Sequence, residues 1–412
     1  MSTDTVKIRT TCCIAGGGPA GMMLGFLLAR AGVPVVVLER HRDFFRDFRG
    51  DTIHPSTMQV MDELGLLEEF LKVPHQEMTS VGGKFAGADF IAADFSHLPV
   101  RCKFVMLMPQ WDFLNFIAEK ARRYAAFQLK MEWAATDLIR DGERVIGVRA
   151  MSPNGPVEIL ADLVVAADGR KSDLRLASKL EVIDYGAPID VLWMRIPKRP
   201  GDPVQTLGYI GAGQGLVLLN RDDYLQAGYI IPKGALEELK IHGIEKLRKR
   251  IPMVAPFLGD GRLEELKDWN DIKLLSVQVN RLKKWYLPGF LCIGDAAHAM
   301  SPAGGVGINL AIQDAIAAAN ILVAPLRGGT LSVDDLRAVQ RRRELPTRLT
   351  QALQIPLQKM LFKGVIEKAG DIRVPLFVKV LRWFPFLRRI PARVIGMGFR
   401  PEHIRTPEIL AK

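Results

Sequence analysis

Three glycines set the first candidate chemistry. Gly16-x-Gly18-x-x-Gly21 follows the short apolar run 11–15 and opens a second apolar segment, 22–31, of helical length. The first glycine permits a tight turn, the second lets backbone N–H groups approach a pyrophosphate, and the third lets helix and strand pack closely. Pro19 and Ala20 sit where the helix begins, and the free N–H groups of a helix start carry partial positive charge. Glu39 ends the run 35–38, 23 residues after Gly16, and is followed by Arg40. An acidic side chain there accepts hydrogen bonds from ribose hydroxyls. The competing reading is a chance glycine turn beside a surface glutamate. A second cluster, Gly211-Ala212-Gly213-Gln214-Gly215, has no helix after it and reads as a hairpin turn.

So far the residues permit either NAD or FAD, and two strand-end aspartates narrow the choice. Asp168-Gly169-Arg170-Lys171-Ser172-Asp173-Leu174-Arg175 follows the apolar run 163–167. Gly294-Asp295-Ala296-Ala297-His298 follows 291–293 and leads through Pro302, Gly304 and Gly305 to Gly307-Ile308-Asn309. An aspartate leaving a strand can accept from a ribityl hydroxyl. A glycine-rich turn at a helix start offers N–H groups to a second anionic locus, which in a flavin is the N1–C2=O edge, negative on reduction.

These fingerprints, GxGxxG, then DGxxSxxR, then GDAAH followed by a proline and GxN, resemble those of the flavoprotein aromatic hydroxylases, the group that includes the p-hydroxybenzoate hydroxylase family. The resemblance runs from residue 10 to about 320, in the family's order. It implies non-covalent FAD, with Gly16, Gly18, Gly21 and Glu39 on the ADP half. It implies that Arg49, in Phe48-Arg49-Gly50-Asp51, lies near the pyrophosphate and flavin, and that Gln110 contacts the flavin. Asp168 is expected to serve FAD and NAD(P)H, and Asp295 the ribityl or pyrophosphate portion. The backbone of Ile308 and Asn309 is expected at flavin N1 and O2, with Pro302 lining the pocket where flavin meets substrate. The implied reaction uses NAD(P)H to reduce the flavin and O2 to form a C4a-hydroperoxide, which hydroxylates an aromatic or other electron-rich small molecule. No separate NAD(P)H domain is expected.

Other readings stay open. Arg49 could be one more surface arginine, and Gln110 could cap its helix, since helix N-termini leave N–H groups that need acceptors. His298 invites a catalytic role but reads rather as packing beside its loop, since a lone histidine needs a partner to act as a base; His54, near the expected flavin by motif, is a further pocket candidate. An FAD oxidoreductase that inserts no oxygen and a non-enzymatic flavoprotein are alternative functions. A flavin-dependent halogenase is faintly echoed by Trp193-Met194-Arg195-Ile196-Pro197, where Arg195 replaces the second tryptophan of that signature.

The elements that must position these residues predict an α/β chain: a Rossmann-like FAD-binding domain (GR2-type), an inserted α+β substrate domain and a C-terminal helical region. The expected boundaries are 1–180 and 286–330 for the two parts of the first, 181–285 for the second and 331–412 for the third, with strands within 75–107 free to join the substrate sheet. Apolar spacing predicts helices over 56–72, capped by Ser56, and over 110–126. A hairpin is expected at Asp141-Gly142, one charged helix near 235–250, and proline-broken helices after 331. Tyr224, Gln226 and Tyr229, nearly alternating along one strand, are the substrate-pocket candidates, with a structural role for the aromatics as the competing reading.

Composition excludes more than it assigns. No metal-ligand or disulfide spacing joins Cys12, Cys13, Cys102 and Cys292, which read as buried small hydrophobes in a reducing cytoplasm. No run of 18 apolar residues predicts a transmembrane span, and the glycines at 16–18 interrupt what would otherwise suggest a signal peptide after Lys7 and Arg9. The charge of +11 comes without a nucleic-acid recognition motif, so most of it reads as solvated surface. The exception is 377–405, where aromatic and aliphatic residues mix with Lys379, Arg382, Arg388, Arg389, Arg393, Arg400 and Arg405. A basic amphipathic stretch of this kind can lie on an anionic membrane surface. The preferred reading packs these helices on the FAD domain with their arginines solvated.

Overall fold

A computed structural model describes residues 6–45, 52–85, 87–203, 207–211, 213–221, 223–361 and 376–409. The strand Val6–Ala15 pairs in parallel with Gly155–Ala166 on one side and with Val35–Glu39 on the other. Phe127–Met131 extends the sheet beyond Val35–Glu39, and Phe290–Cys292 extends it in parallel beyond Gly155–Ala166. Cys12–Ala15, Val35–Leu38 and Leu163–Ala166 are buried throughout. Continuous apolar runs of this kind suit parallel strands covered on both faces, where an alternating pattern would leave one face wet. The helix Pro19–Arg30 packs against Val306–Gly328, a helix nearly three hundred residues away in sequence. Residues 303–328 are long and apolar enough to cross a membrane, yet 67% of their most apolar 18-residue window is buried within the fold as a core helix.

A second sheet holds seven strands in the order Lys273–Leu275, Ile189–Pro197, Tyr224–Pro232, Gln214–Asn220, Leu207–Gly211, Ser80–Phe85, Ala88–Asp94. The strands from residues 80–94 therefore complete this sheet. One face packs on the helix Ile244–Val254, joining Leu192, Met194, Leu216, Leu218 and Tyr229 to Leu247 and Ile251. The single charged helix expected near 235–250 is two, Leu236–Ile241 and Ile244–Val254, because Gly243 takes φ +78° between them.

Other expected elements also shift. The helix over 56–72 ends at Glu63 and a separate turn, Leu67–Phe70, follows Gly65 at φ +70°. His54, not Ser56, occupies its N-cap, since Pro55 lacks an N–H and suits the first helical position. The helix from Gln110 stops at Ala121. Most informative is Val333–Leu361, one 29-residue helix that carries Pro346 and Pro356 inside it. Prolines were expected to break this region. Here a row of buried polar side chains on one face of the helix bonds to neighbouring loops and holds it together. Beyond it, Leu376–Trp383 and Arg389–Met397 pack against Ala88–Asp94, the edge strand of the second sheet. Ala392 and Met397 join Phe95, Leu98, Val105 and Leu107 in a small core.

Candidate cofactor and substrate site

The register of the first sheet brings three distant motifs to one edge. Ala15 pairs with Leu38 and with Ala166, and Ala166 pairs with Cys292. Neighbouring strands lie about 4.8 Å apart, so the glycine turn, Glu39, Asp168 and Asp295 emerge side by side along a span of roughly 14 Å. Crevices outside the carboxyl ends of parallel strands are where open α/β sheets hold ligands.

Local contacts fix the shape of this edge. Gly16 has φ +108°, and a Cβ there would lie 2.3 Å from the Ala167 carbonyl oxygen; one at Gly21 would lie 1.9 Å from that of Gly16. Only glycine lets these backbones meet. Gly18, Gly169 and Gly307 instead have nothing within 4 Å of a built Cβ, so they front open space. Gly18 and Gly305 are the N-caps of Pro19–Arg30 and Val306–Gly328, and no side chain caps either helix. Two helix starts thus offer uncapped N–H groups to an anion.

Glu39 is buried, with Oε2 accepting from Gly17 N at 3.0 Å and Oε1 from His41 N at 3.0 Å and facing His41 Nδ1 at 2.6 Å. It shapes the glycine turn directly. Arg40 pairs with Asp173 at 2.7 Å on the surface. Asp168 Oδ1 is buried without a partner while Oδ2 takes a long bond from Leu174 N, 3.4 Å. Burial raises the pKa of this carboxyl, against the pull of Ser172. Asp295 Oδ2 accepts from Arg170 Nε at 2.8 Å, and Arg170 Nη1 is itself buried and unpartnered. Arg175, the last residue of the second fingerprint, donates to the Ala296 and Arg170 carbonyls at 3.2 and 2.6 Å, bolting two motifs together. An orphaned carboxylate oxygen, uncapped helix starts and glycines facing open space fit FAD, whose phosphates are anionic and whose sugars carry hydroxyls.

At the start of Val306–Gly328, Asn309 is buried, and its Oδ1 accepts from His54 N at 2.9 Å and Thr57 Oγ1 at 2.7 Å. This locks the segment Thr52–His54 under the glycine turn that contains Pro302, half-buried, and Gly305. Thr52 Oγ1 donates to the Gly305 carbonyl at 3.1 Å. His54 is 1% exposed; its Nδ1 lies 2.7 Å from the Ile395 carbonyl and its Nε2 has no partner. Since a carbonyl only accepts, Nδ1 carries the proton and Nε2 presents a lone pair. Burial pushes the pKa down to about 4, outweighing the Ile395 bond, so the ring is neutral.

Two groups central to the site escaped sequence reasoning. Asp314 accepts from Gly294 N at 3.1 Å and Arg343 Nε at 2.9 Å, and meets His298 Nε2 at 2.6 Å. Burial alone would raise its pKa, but His298 and Arg343 outweigh it and hold the carboxyl below its ordinary value. His298 is therefore partnered, at the back of the Asp295 loop rather than in the pocket. The available signal was Asp314 itself, the one acidic residue in a mostly apolar helix. The second group is the stripe Gln340, Gln351, Gln354 and Gln358, at helical spacing. Gln340 receives Trp285 N, while the others donate to Asn280 O, to Ser301 O and Ala303 O, and to Ser301 Oγ.

The second sheet turns its other face away from Ile244–Val254. Val191, Trp193, Gly228 and Ile230 lie on it, with the Trp193 ring across Gly228 and its Nε1 buried without a partner. Tyr224 and Gln226 share this face; Arg195 stacks on Tyr224 at 4.9 Å, and Gln226 Oε1 accepts from Arg221 Nε and Nη2 at 3.2 and 3.1 Å. Arg221 also acts electrostatically on Asp112, two residues beyond Gln110, so this end of the sheet approaches the start of that helix. Burial raises the Asp112 pKa against that pull. Tyr229 does not belong with the other two. Side chains alternate along a strand, so an odd offset places it on the opposite face, in the second core, where its hydroxyl donates to Gln214 Oε1 at 3.0 Å. Gln110 is half-buried at the first position of its helix, after Pro109, and no side-chain cap is made there. Arg49 lies outside the described residues. Beside the glycine turn, a cleft of about 310 Å³ is lined by Arg42, Phe45, Trp111, Arg122 and Met131.

Comparison with known proteins agrees with this geometry. The family described as "FAD binding domain" matches residues 9–352. The 6-methylpretetramide 4-monooxygenase of Streptomyces rimosus is 31% identical over 387 residues, 91% of each chain. The 12-dehydrotetracycline 5-monooxygenase/anhydrotetracycline 6-monooxygenase of Streptomyces rimosus subsp. rimosus is 27% identical; the match covers 75% of this chain and 61% of that longer one. The fold is shared with PqsL of Pseudomonas aeruginosa, described as a probable FAD-dependent monooxygenase, at TM-score 0.73 and 24% identity over 87% of this chain and all of that one.

Proposed function

Since this chain belongs to the FAD binding domain family and is an FAD-dependent monooxygenase of the aromatic-hydroxylase type, we propose that its substrate is a planar, fused-ring phenol of the aromatic polyketide kind. The observation that carries the reading is the sheet face on which Trp193 and Ile230 stay half-buried beside the small core of Ile189, Val191 and Val277, broken by one buried, unsatisfied indole N–H. A flat ring system covers such a face and a ring oxygen answers the N–H. The relative matched over 91% of both chains supports it, since its name gives 6-methylpretetramide as substrate.

FAD, when bound, would supply the redox chemistry that couples NAD(P)H oxidation to insertion of one atom of dioxygen into the substrate. The residues that would hold it are those of the carboxyl edge. Gly16, Gly18, Pro19, Ala20 and Gly21 present the first helix start to the pyrophosphate, and Glu39 with Arg40 borders the adenosine. Asp168 and Asp295, beside Gly169 and Gly294, accept sugar and ribityl hydroxyls. Gly305, Gly307, Ile308 and Asn309 present the second helix start, Gln110 borders the flavin side, and Pro302 borders the substrate; Arg49, outside the described residues, is assigned to the flavin by its motif alone. His54 Nε2 holds the substrate hydroxyl by accepting its hydrogen bond. With a pKa of about 4 the ring is too weak a base to remove that proton outright, so it orients the phenol. We read the second sheet and residues 181–285 as the substrate unit, and the free, buried cysteines support a reducing, cytoplasmic location.

The test is a panel of fused-ring and single-ring phenols with FAD-loaded protein, NADH or NADPH, and 18O2. Fused-ring phenols should accelerate NAD(P)H oxidation and gain one 18O atom. Equal acceleration by single-ring phenols would reject the substrate class, and oxidation that yields peroxide without labelled product across the panel would reject hydroxylation of this class.

A further inference from the structure

We propose that Leu376–Trp383 and Arg389–Met397 form a docking surface for an anionic lipid bilayer. Leu376, Phe377, Trp383, Phe384, Phe386 and Ile390 are all exposed within fifteen residues, Leu376 at 70% and Trp383 at 65%. Exposed apolar side chains on soluble surfaces are ordinarily scattered, and contiguous patches mark interaction sites. On the first helix Leu376, Lys379 and Trp383, at i, i+3 and i+7, share the outward face while Val378 turns inward. On the second, Arg389, Ile390 and Arg393 face out while Ala392 and Gly396 are buried. Phe384 and Phe386 stand between them with ring centroids 6.1 Å apart.

The charge on this face selects its partner. Residues 372–401 contain no Asp or Glu, and Lys379, Arg382, Arg389, Arg393 and Arg400 are exposed. A second copy would bring the same cationic patch to a face-to-face contact, and like charges oppose it. Anionic headgroups complement the arginines, and the acyl boundary beneath them takes Trp, Phe and Leu side chains. The face is also held in place, because the same helices pack from behind on the edge strand Ala88–Asp94 and on Phe95 and Leu98. Ile395, on the second helix, accepts from His54. A bilayer-dissolved substrate would therefore be released one helix away from the candidate pocket, a link that rests on the substrate reading above; the docking does not.

The experiment is vesicle flotation of the full-length, FAD-loaded protein, with flavin content and thermal midpoint measured on the same samples. Vesicles of phosphatidylcholine alone are compared with a 7:3 phosphatidylcholine:phosphatidylglycerol mixture, in low and high salt. The expected result is flotation with the anionic vesicles only, weakened by salt. R382Q/R393Q removes two charges whose side chains make no hydrogen bond among the described residues. It should lower partitioning roughly thirtyfold, at the strength of a basic residue near an anionic surface. W383S/F386S should lower it at least as far. Should one variant misfold, the other and the wild-type lipid and salt dependence still decide. Equal binding to both vesicles, no binding to either, or unchanged binding by both folded variants overturns the proposal. So does light scattering that shows a dimer dispersed by W383S/F386S, which would assign the patch to a second copy.

Discussion

Asp295 and His54 differ in environment, one paired with Arg170 and the other a buried, neutral ring. Asp295, anchored by Arg170, keeps a carboxylate at the crevice mouth. Replacing it in D295A removes a charged acceptor, and such bonds contribute about 1.5–3 kcal/mol; FAD affinity should fall roughly ten- to a hundredfold, read by flavin absorbance after gel filtration. Full stoichiometric flavin in that variant would remove Asp295 from the site. His54 makes a different prediction. The unfolded chain binds a proton with the ordinary histidine pKa near 6.5, and the folded chain only near 4. Acid therefore favours unfolding across this interval. Stability from this group is complete above pH 6.5 and falls by about 3 kcal/mol in total as pH drops to 4. Urea unfolding of the wild type and H54Q between pH 7 and 4.5 tests it: the variant should lose less stability over the range, and parallel slopes would contradict a buried neutral ring.

At the scale of elements, the proline-bearing helix Val333–Leu361 is a scaffold for the cofactor loop. Its glutamines face inward and receive or donate bonds from residues 280–303, where an unpartnered carbonyl would be costly. Q354L leaves the Ser301 and Ala303 carbonyls without this donor. It should cost about 2 kcal/mol in denaturant stability and weaken FAD binding with it, because these residues lead into the start of Val306–Gly328. Stability loss with flavin affinity unchanged would show that the stripe supports the fold alone. Arg343 extends the same face: it joins Asp314, behind Gly294, to Glu402 in the closing segment, 3.3 Å away. Breaking a buried pair of this kind typically costs about 3–5 kcal/mol, so R343M should unfold at markedly lower temperature than the wild type in calorimetry.

For the whole molecule, the tail is part of the fold rather than an appendage. It covers the edge strand Ala88–Asp94 and contributes Ala392 and Met397 to the core around Phe95 and Leu107. Deletion after residue 361 should expose that core and give aggregated, flavin-poor protein, seen by gel filtration. A monomeric, flavin-loaded truncation would mean that the tail only decorates the surface. The preferred sequence reading packs the tail helices on the FAD domain with their arginines solvated. They pack on the helix Pro55–Glu63, on Ala88–Asp94 and on Phe95 and Leu98, and aromatic side chains are exposed beside the arginines.

Local rules made the nucleotide edge legible. Gly16, Gly18 and Gly21 can be read because a tight turn and close backbone approach tolerate no Cβ. Asp168 and Asp295 can be read because each follows an apolar run that must be a buried strand. Tyr229 was misplaced where period-2 parity, applied strictly, separates it from Tyr224 and Gln226. Asp314, Arg343 and the glutamine stripe were invisible for another reason: a polar residue at helical spacing looks solvent-facing until a partner covers it, and here the partners lie 29 to 71 residues away. The sequence alone therefore determined the ligand class through backbone constraints written within a few residues. Which side chains hold the loops, which sheet face packs on the helix Ile244–Val254 and which tail residues meet solvent were decided by long-range packing, because burial and pairing belong to the assembled chain.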